Sequence, residues 1–183
     1  MTFSHFPIVL GLGANLSSRF GPPRAALGAA LVRMEAAGIE ITGRAPWYES
    51  APVPVSDQPW YVNGVVTVRT TLAPDALLAL LLGIEAAMGR ARTVVNAPRM
   101  IDLDVLAYGD IIRRPPESAP ELPHPRLHTR GFVLKPLADL MADWRHPVTA
   151  EPVADLLRAL PPDQQIRRMD DADGAFGTEW RDQ

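Results

Sequence analysis

Two apolar helical segments, each opened by proline and closed by glycine, set the frame of this chain. Pro22 and Pro23 suit the first positions of a helix, where no backbone N–H is needed. Ala25–Ala37 continues that helix and Gly38 suits its end. Pro74 opens the second helix, in which Leu77, Leu81, Ile84 and Met88 fall on one face before Gly89 closes it. Around them lie runs that read as strands: Ile8–Leu12, Ile39–Tyr48, the alternating β-branched run Tyr61–Thr70, and Met100–Tyr108. The order strand, helix, strand, strand, helix, strand is the split βαβ pattern of a ferredoxin-like α+β fold with an antiparallel sheet. Helices on one face of such a sheet would leave the other free for a ligand.

Two further helices are expected at Phe132–Leu140 and Val153–Leu160. The proline-bearing segment Ala51–Pro59, the polar stretch Arg90–Arg99 and the proline-rich segment Pro115–Pro125 read as loops. One domain over residues 1–160 accounts for all of these. After Pro161 the chain turns polar and charged, which predicts a loosely ordered tail over 161–183.

Composition removes several classes of function. There is no cysteine among the 183 residues, so disulfides, thiolate metal sites and cysteine nucleophiles are excluded. The net charge of -3 is not that of a general nucleic-acid binder. No apolar run is long enough to span a membrane: Ala73–Met88 comes nearest, and Asp75 and Glu85 interrupt it. The N-terminal stretch has no basic region before its short apolar run and does not read as a signal peptide. A cytoplasmic protein is expected, with nothing demanding more than a monomer. Lys135 is the one lysine, and Val133-Leu134-Lys135-Pro136 is no phosphate-binding loop. Phosphate would have to be held by arginine, histidine, metal or backbone amides.

Arg99-Met100-Ile101-Asp102-Leu103-Asp104-Val105 is the sharpest local signal. Alternate side chains of a strand point the same way, so Asp102 and Asp104 share a face while Ile101, Leu103 and Val105 point into the core. Neighbouring carboxylates repel unless a cation stands between them. Few oxygen ligands suit Mg²⁺, which completes its shell with water and substrate phosphates. A solvated strand face holding two acids by chance is the competing reading. Arg90, Arg92 and Arg99 favour a phosphate site, because a guanidinium grips phosphate oxygens in pairs.

Leu122–Phe132 packs His124, Arg126, His128 and Arg130 together. Zinc is one use of two histidines, but prolines around His124 make a poor helix-borne pair, and hydrogen bonding to phosphate fits the arginine company better. Ser56–Asn63 opens a strand with Trp60, Tyr61 and Asn63; an amide at Asn63 can donate and accept together, as a lactam edge requires. Core packing is the reading preferred for Trp60. Gly11-Leu12-Gly13 is a weak, incomplete dinucleotide fingerprint. His5 and His146 carry no assigned role.

These pieces in order resemble the 6-hydroxymethyl-7,8-dihydropterin pyrophosphokinase family, over about residue 7 to residue 147. The resemblance rests on Gly13-Ala14-Asn15-Leu16, Asp57-Gln58-Pro59 with Asn63, Ile84-Glu85 with Gly89-Arg90, Pro98-Arg99 with Asp102-Leu103-Asp104, and Pro123-His124 through Arg130 and Phe132. It implies a ferredoxin-like fold and transfer of pyrophosphate from ATP to the hydroxymethyl group of the dihydropterin, releasing AMP, in folate biosynthesis. Asp102 and Asp104 would then hold two Mg²⁺ ions and act with Arg90 and Arg99 in catalysis. Tyr61 and Phe132 would sandwich the pterin, and Asn63 with the Val53 backbone would meet its polar edge. Glu85, Arg90, Arg92, Arg99, His124 and Arg130 would line the ATP side. The loops after Asn15, around Pro54 and between Arg92 and Arg99 would close over the substrates. The chain departs from the family pattern at Val95-Asn96, where an Arg-Trp pair is expected in a slightly longer loop. It departs again at Leu82 in place of a glutamine, and at Pro125 in place of a tyrosine.

Two other readings remain at this stage. A nucleotidyltransferase could use the same acid pair but would not need Tyr61, Asn63 and Phe132 arranged for a pterin. A non-catalytic RNA-binding module on the same fold would call for a basic sheet face, which two acids and the negative net charge oppose.

Overall fold

A computed structural model describes residues 7–90, 99–114, 116 and 119–181. Its elements are β1 (Ile8–Ala14), α1 (Pro23–Ala36), β2 (Glu40–Arg44), β3 (Tyr48–Ser50), β4 (Tyr61–Arg69), α2 (Pro74–Ala87), β5 (Asp102–Tyr108), α3 (Gly131–Leu140), α4 (Val153–Arg158) and β6 (Ile166–Arg168). The sheet is antiparallel in the order β5-β1-β4-β3-β6, with β2 also on β4. This is the expected ferredoxin-like arrangement, with β1 and β4 in the middle. No helix among the described residues is long and apolar enough to cross a membrane.

Residue alternation divides the sheet's two faces. Leu10, Leu12, Val66, Val68, Leu103 and Val105 lie in one buried cluster with Leu27, Leu31, Leu77 and Leu81 of α1 and α2. Val9, Val65 and Leu106 point the other way and pack with Val133, Leu134 and Leu137 of α3 and with Val153 and Leu156 of α4. The second face is therefore shared, not free as expected: α3 and α4 cover one end of it and an open cleft occupies the rest.

The strand expected over Ile39–Tyr48 is two strands. Ala45 still donates its N–H to the Val65 carbonyl at 2.9 Å. Pro46 then has no N–H to offer the ladder, and Trp47 turns fully into the core. Gly64 makes room for it: a Cβ at that position would lie 2.4 Å from Trp47 Cζ3.

The polar segment after Pro161 is a folded part of the sheet. β6 pairs with β3 at Tyr48↔Arg168, Glu49↔Arg167 and Ser50↔Ile166. Beyond it, the Phe176 carbonyl accepts the indole N–H of Trp47 at 2.9 Å, and Trp180 packs edge-on to Phe20 with ring centroids 5.7 Å apart. Met169, Phe176 and Trp180 lie against the α1/α2 core. A few apolar residues at long sequence separation do this, in a stretch whose mean composition reads as solvated.

Candidate active site

The middle of β1 carries no side chain on its open face. Gly11 stands opposite Asp104 and Gly13 opposite Asp102 on β5, and on the other side Gly13 stands opposite Asn63 of β4. A Cβ on Gly11 would come within 3.1 Å of Leu106 Cδ1, and one on Gly13 would point at Asn63 Oδ1, 3.7 Å away. The two glycines read as a weak nucleotide fingerprint are in fact the bare floor of a cleft of about 430 Å³. Ligand pockets in general run from about 300 to 1,000 Å³.

Of the predicted site residues, Val53, Tyr61, Asn63, Arg99, Asp102, Asp104, Arg130 and Phe132 all line this one cleft. Tyr61 is at the start of β4 and its hydroxyl donates to Gln58 Oε1 at 3.1 Å. Asn63 is 4% exposed and its Nδ2 donates to Ser50 Oγ at 2.9 Å. Phe132 sits in the first turn of α3, with the Arg130 guanidinium 5.5 Å from its ring centroid. Trp60 is not in the core. It is half-buried at the surface and lies under the Arg167 guanidinium, 4.7 Å from its centroid.

Three predicted residues stand behind or beside the cleft. Glu85 is 2% exposed at the end of α2; its Oε1 accepts the Leu103 N–H at 2.7 Å and pairs with Arg90 at 2.5 Å. Arg90 passes the connection on, donating to Asp102 Oδ1 at 2.6 Å. His124 is fixed by its backbone N–H to the Leu106 carbonyl at 2.8 Å, and its Nδ1 accepts the Arg126 N–H at 3.1 Å. Arg92, with Val95 and Asn96, lies outside the described residues. His146 has a structural job: its Nδ1 accepts the N–H groups of Val148 and Thr149.

The two acids differ in their surroundings. Asp102 is held by Arg90 on one oxygen and by Arg99 on the other. Among the described residues no arginine pairs directly with Asp104: burial, then the charge of Asp102, pushes its carboxyl up to about 6, against the pull of Arg130 and Arg99. A raised carboxyl beside another carboxylate is a site that a cation relieves. No group of three or more His, Asp or Glu able to grip a metal exists among the described residues. Asp102 and Asp104 therefore fit an ion that takes one or two carboxylates and draws its other ligands from water and phosphate, as Mg²⁺ does.

A histidine and an arginine lie near the acids. Burial, followed by Arg130 and Arg126, pushes His124 down to about 4, so its ring is neutral at neutral pH. With Nδ1 accepting, Nε2 carries the proton and is a donor. Arg130, its own pKa lowered by burial and by Arg126, faces both acids.

Three further residues contribute to the site without a role expected from the sequence. Asn15 is 2% exposed and ties the loop after β1 to Pro59 and to Arg99. Arg126 was seen only as part of a cluster, yet it lines the cleft. Gln164 lines it from the C-terminal segment, where no local signal announces it.

An acid pair on a ferredoxin-like sheet, with arginines beside it and a tyrosine and a phenylalanine lining the same cleft, has the chemistry to take a divalent cation and phosphate. A model of the 7,8-dihydro-6-hydroxymethylpterin-pyrophosphokinase family matches residues 9–142. The chain is 39% identical over 150 residues to a 2-amino-4-hydroxy-6-hydroxymethyldihydropteridine pyrophosphokinase of Synechocystis, covering 81% of this chain and 73% of that protein. It is 38% identical to the enzyme of the same name from Methylorubrum extorquens, covering 84% and 92%. Against the folic acid synthesis protein fol1 of Schizosaccharomyces pombe the identity is 37% over 83% of this chain, which spans only 20% of that longer protein. Among solved structures, an HPPK-DHPS in complex with substrates shares the fold at TM-score 0.65 and 15% identity, covering 86% of this chain and 43% of that one. The wild-type HPPK-DHPS of Plasmodium falciparum does so at 0.62 and 15%, covering 84% and 43%. The chain belongs to the 7,8-dihydro-6-hydroxymethylpterin-pyrophosphokinase family.

Proposed function

We propose that this chain transfers the pyrophosphoryl group of ATP to 6-hydroxymethyl-7,8-dihydropterin, in the synthesis of folate. One observation carries the reading: Asp102 and Asp104 open onto the same cleft as Asn63, Tyr61 and Phe132. A phosphate-handling acid pair and a site for a flat, polar-edged ring are thus within one ligand's reach.

In this reading Tyr61 and Phe132 hold the pterin ring by stacking. Asn63 meets its amide edge, and the Val53 backbone closes beside it. Asp102 and Asp104 hold two Mg²⁺ ions, which supply charge neutralisation for the ATP phosphates. Arg99, Arg130 and the His124 Nε2–H meet phosphate oxygens, and Arg92 is assigned the same role. Glu85 acts through Arg90, which it keeps aimed at Asp102. The hydroxymethyl oxygen attacks the β-phosphorus of ATP. The bond from that phosphorus to the oxygen bridging the α-phosphate breaks, AMP leaves, and the hydroxyl proton passes to solvent. Phosphoryl transfer of this kind asks the protein for positioning and charge, not covalent participation.

The test is the pair Asp102→Ala and Asp104→Ala. Each is expected to abolish AMP formation from ATP, Mg²⁺ and the pterin while the far-ultraviolet dichroism stays that of the parent. A folded Asp104→Ala that still turns over would remove the acid pair from the mechanism.

A further inference from the structure

We propose that Gln164, which lies beyond the residues matched by the family model, is a positioning residue that sets where Arg130 and Phe132 stand in the cleft. The inference rests on the function proposed above. Helix α3 begins at Gly131 and has no side-chain cap from Arg130, its N-cap residue. A first-turn N–H left without a partner is costly when water is excluded. Gln164 supplies the partner from 33 residues away: its Oε1 accepts the Gly131 N–H at 2.7 Å. Its Nε2 donates to the Thr129 carbonyl at 3.1 Å. One carboxamide therefore grips both sides of Arg130, the residue that faces the acids, and the residue just before Phe132.

The rest of the segment makes this grip rigid. Ile166 fills the space beside Gly131, where a Cβ would lie 2.5 Å from Ile166 Cδ1. The Gln165 carbonyl accepts the Ala51 N–H at 3.1 Å, at the start of the loop that carries Val53. Arg167 lies over Trp60 and pairs with Glu49 of β3. Residues 164–167 thus join the Phe132 wall to the Val53 wall, and a displacement of about 1 Å in such a wall is enough to lower turnover severely.

The test uses the whole chain with Gln164→Met, which keeps the length of the side chain and loses both bonds, and Gln164→Glu, which keeps the Oε1 acceptor. Gln165→Ala, whose side chain is exposed, is the control. Pterin binding is read by fluorescence titration and local order by hydrogen exchange at the amides of residues 129–132. Gln164→Met is expected to weaken pterin binding about 5- to 10-fold, the scale of one lost hydrogen bond. It should also speed exchange at Gly131, while Gln164→Glu, which keeps that acceptor but sets its second oxygen against the Thr129 carbonyl, restores slow exchange at Gly131 and recovers only part of the affinity, and Gln165→Ala changes neither readout. A Gln164→Met chain that melts earlier but binds pterin as the parent does, or unchanged exchange at Gly131, would overturn the proposal; so would a Gln164→Glu chain in which Gly131 exchanges as fast as in Gln164→Met. Local loosening in a chain whose parent never binds pterin would instead support the anchoring and sink the substrate assignment.

Discussion

Asn15 and Arg99 are bonded in both directions: the Arg99 N–H donates to Asn15 Oδ1 at 2.8 Å, and the Asn15 N–H donates to the Arg99 carbonyl at 2.9 Å. The same carboxamide donates from Nδ2 to the Pro59 carbonyl at 3.1 Å. One buried side chain therefore fixes the exit of β1, the approach to β4 and the entry to β5, the three backbones that carry the glycine floor, Tyr61 and the acids. Asn15→Ala should cost about 1–3 kcal/mol, the penalty of leaving buried partners unmade. Urea unfolding measures this. Turnover should fall further than the lost stability explains, because the Arg99 N–H loses its acceptor and Pro59 its tie to the same loop; a variant with parental activity would contradict the coupling.

Asp104 should make the proposed binding of a cation depend on pH. Its carboxyl is raised from 3.8 to about 6 by burial and by Asp102. A folded-state value above the unfolded one contributes stability at low pH, and that contribution is lost as pH rises through about 6. The chain alone thus carries an unfavourable charge at neutral pH, which the proposed cation would offset. The rise in melting temperature on adding Mg²⁺ should be clear near about pH 7.5 and fade at about pH 5, where binding must first expel a proton. An equal rise at both values would exclude Asp104 as a ligand.

Gly64 and Trp47 give a test of packing beneath the site. Gly64→Ala would place its Cβ 2.4 Å from a fully buried indole. Overpacking of that kind costs about 1–3 kcal/mol. The same change should disturb Asn63, its neighbour on β4, and so raise the KM for pterin more than that for ATP, as steady-state kinetics can show.

Ending the chain at Leu160 should do more than remove a polar tail. It takes away β6 and the acceptor of the Trp47 indole N–H, and uncovers the Phe20 side of α1. A lower melting temperature and new binding of a hydrophobic dye are expected. A truncated chain with parental stability and pterin affinity would refute the role given to the segment.

The features legible in the sequence are those whose physics is local. Period-two alternation placed Asp102 and Asp104 on one face and buried Ile101, Leu103 and Val105 on the other, as the strand requires. Proline starts and glycine ends gave both helices to within a residue or two. The features that were not legible depend on contacts across long stretches of chain. Nothing near Gln164 marks it as the cap of a helix that begins at Gly131, and nothing near Asn15 marks Arg99 as its partner. The division of β2 from β3 lies between these cases. Pro46 stands inside the expected strand, but only the Trp47–Gly64 contact shows why the chain must leave the ladder there.

The most direct measurement is phosphorus resonance of the products formed from ATP, Mg²⁺ and 6-hydroxymethyl-7,8-dihydropterin. The account predicts AMP together with two coupled phosphorus signals of a diphosphate ester on the pterin, in equal amounts and only when pterin and Mg²⁺ are both present. ADP, or free pyrophosphate with a nucleotidyl product, would contradict the reaction proposed for this cleft.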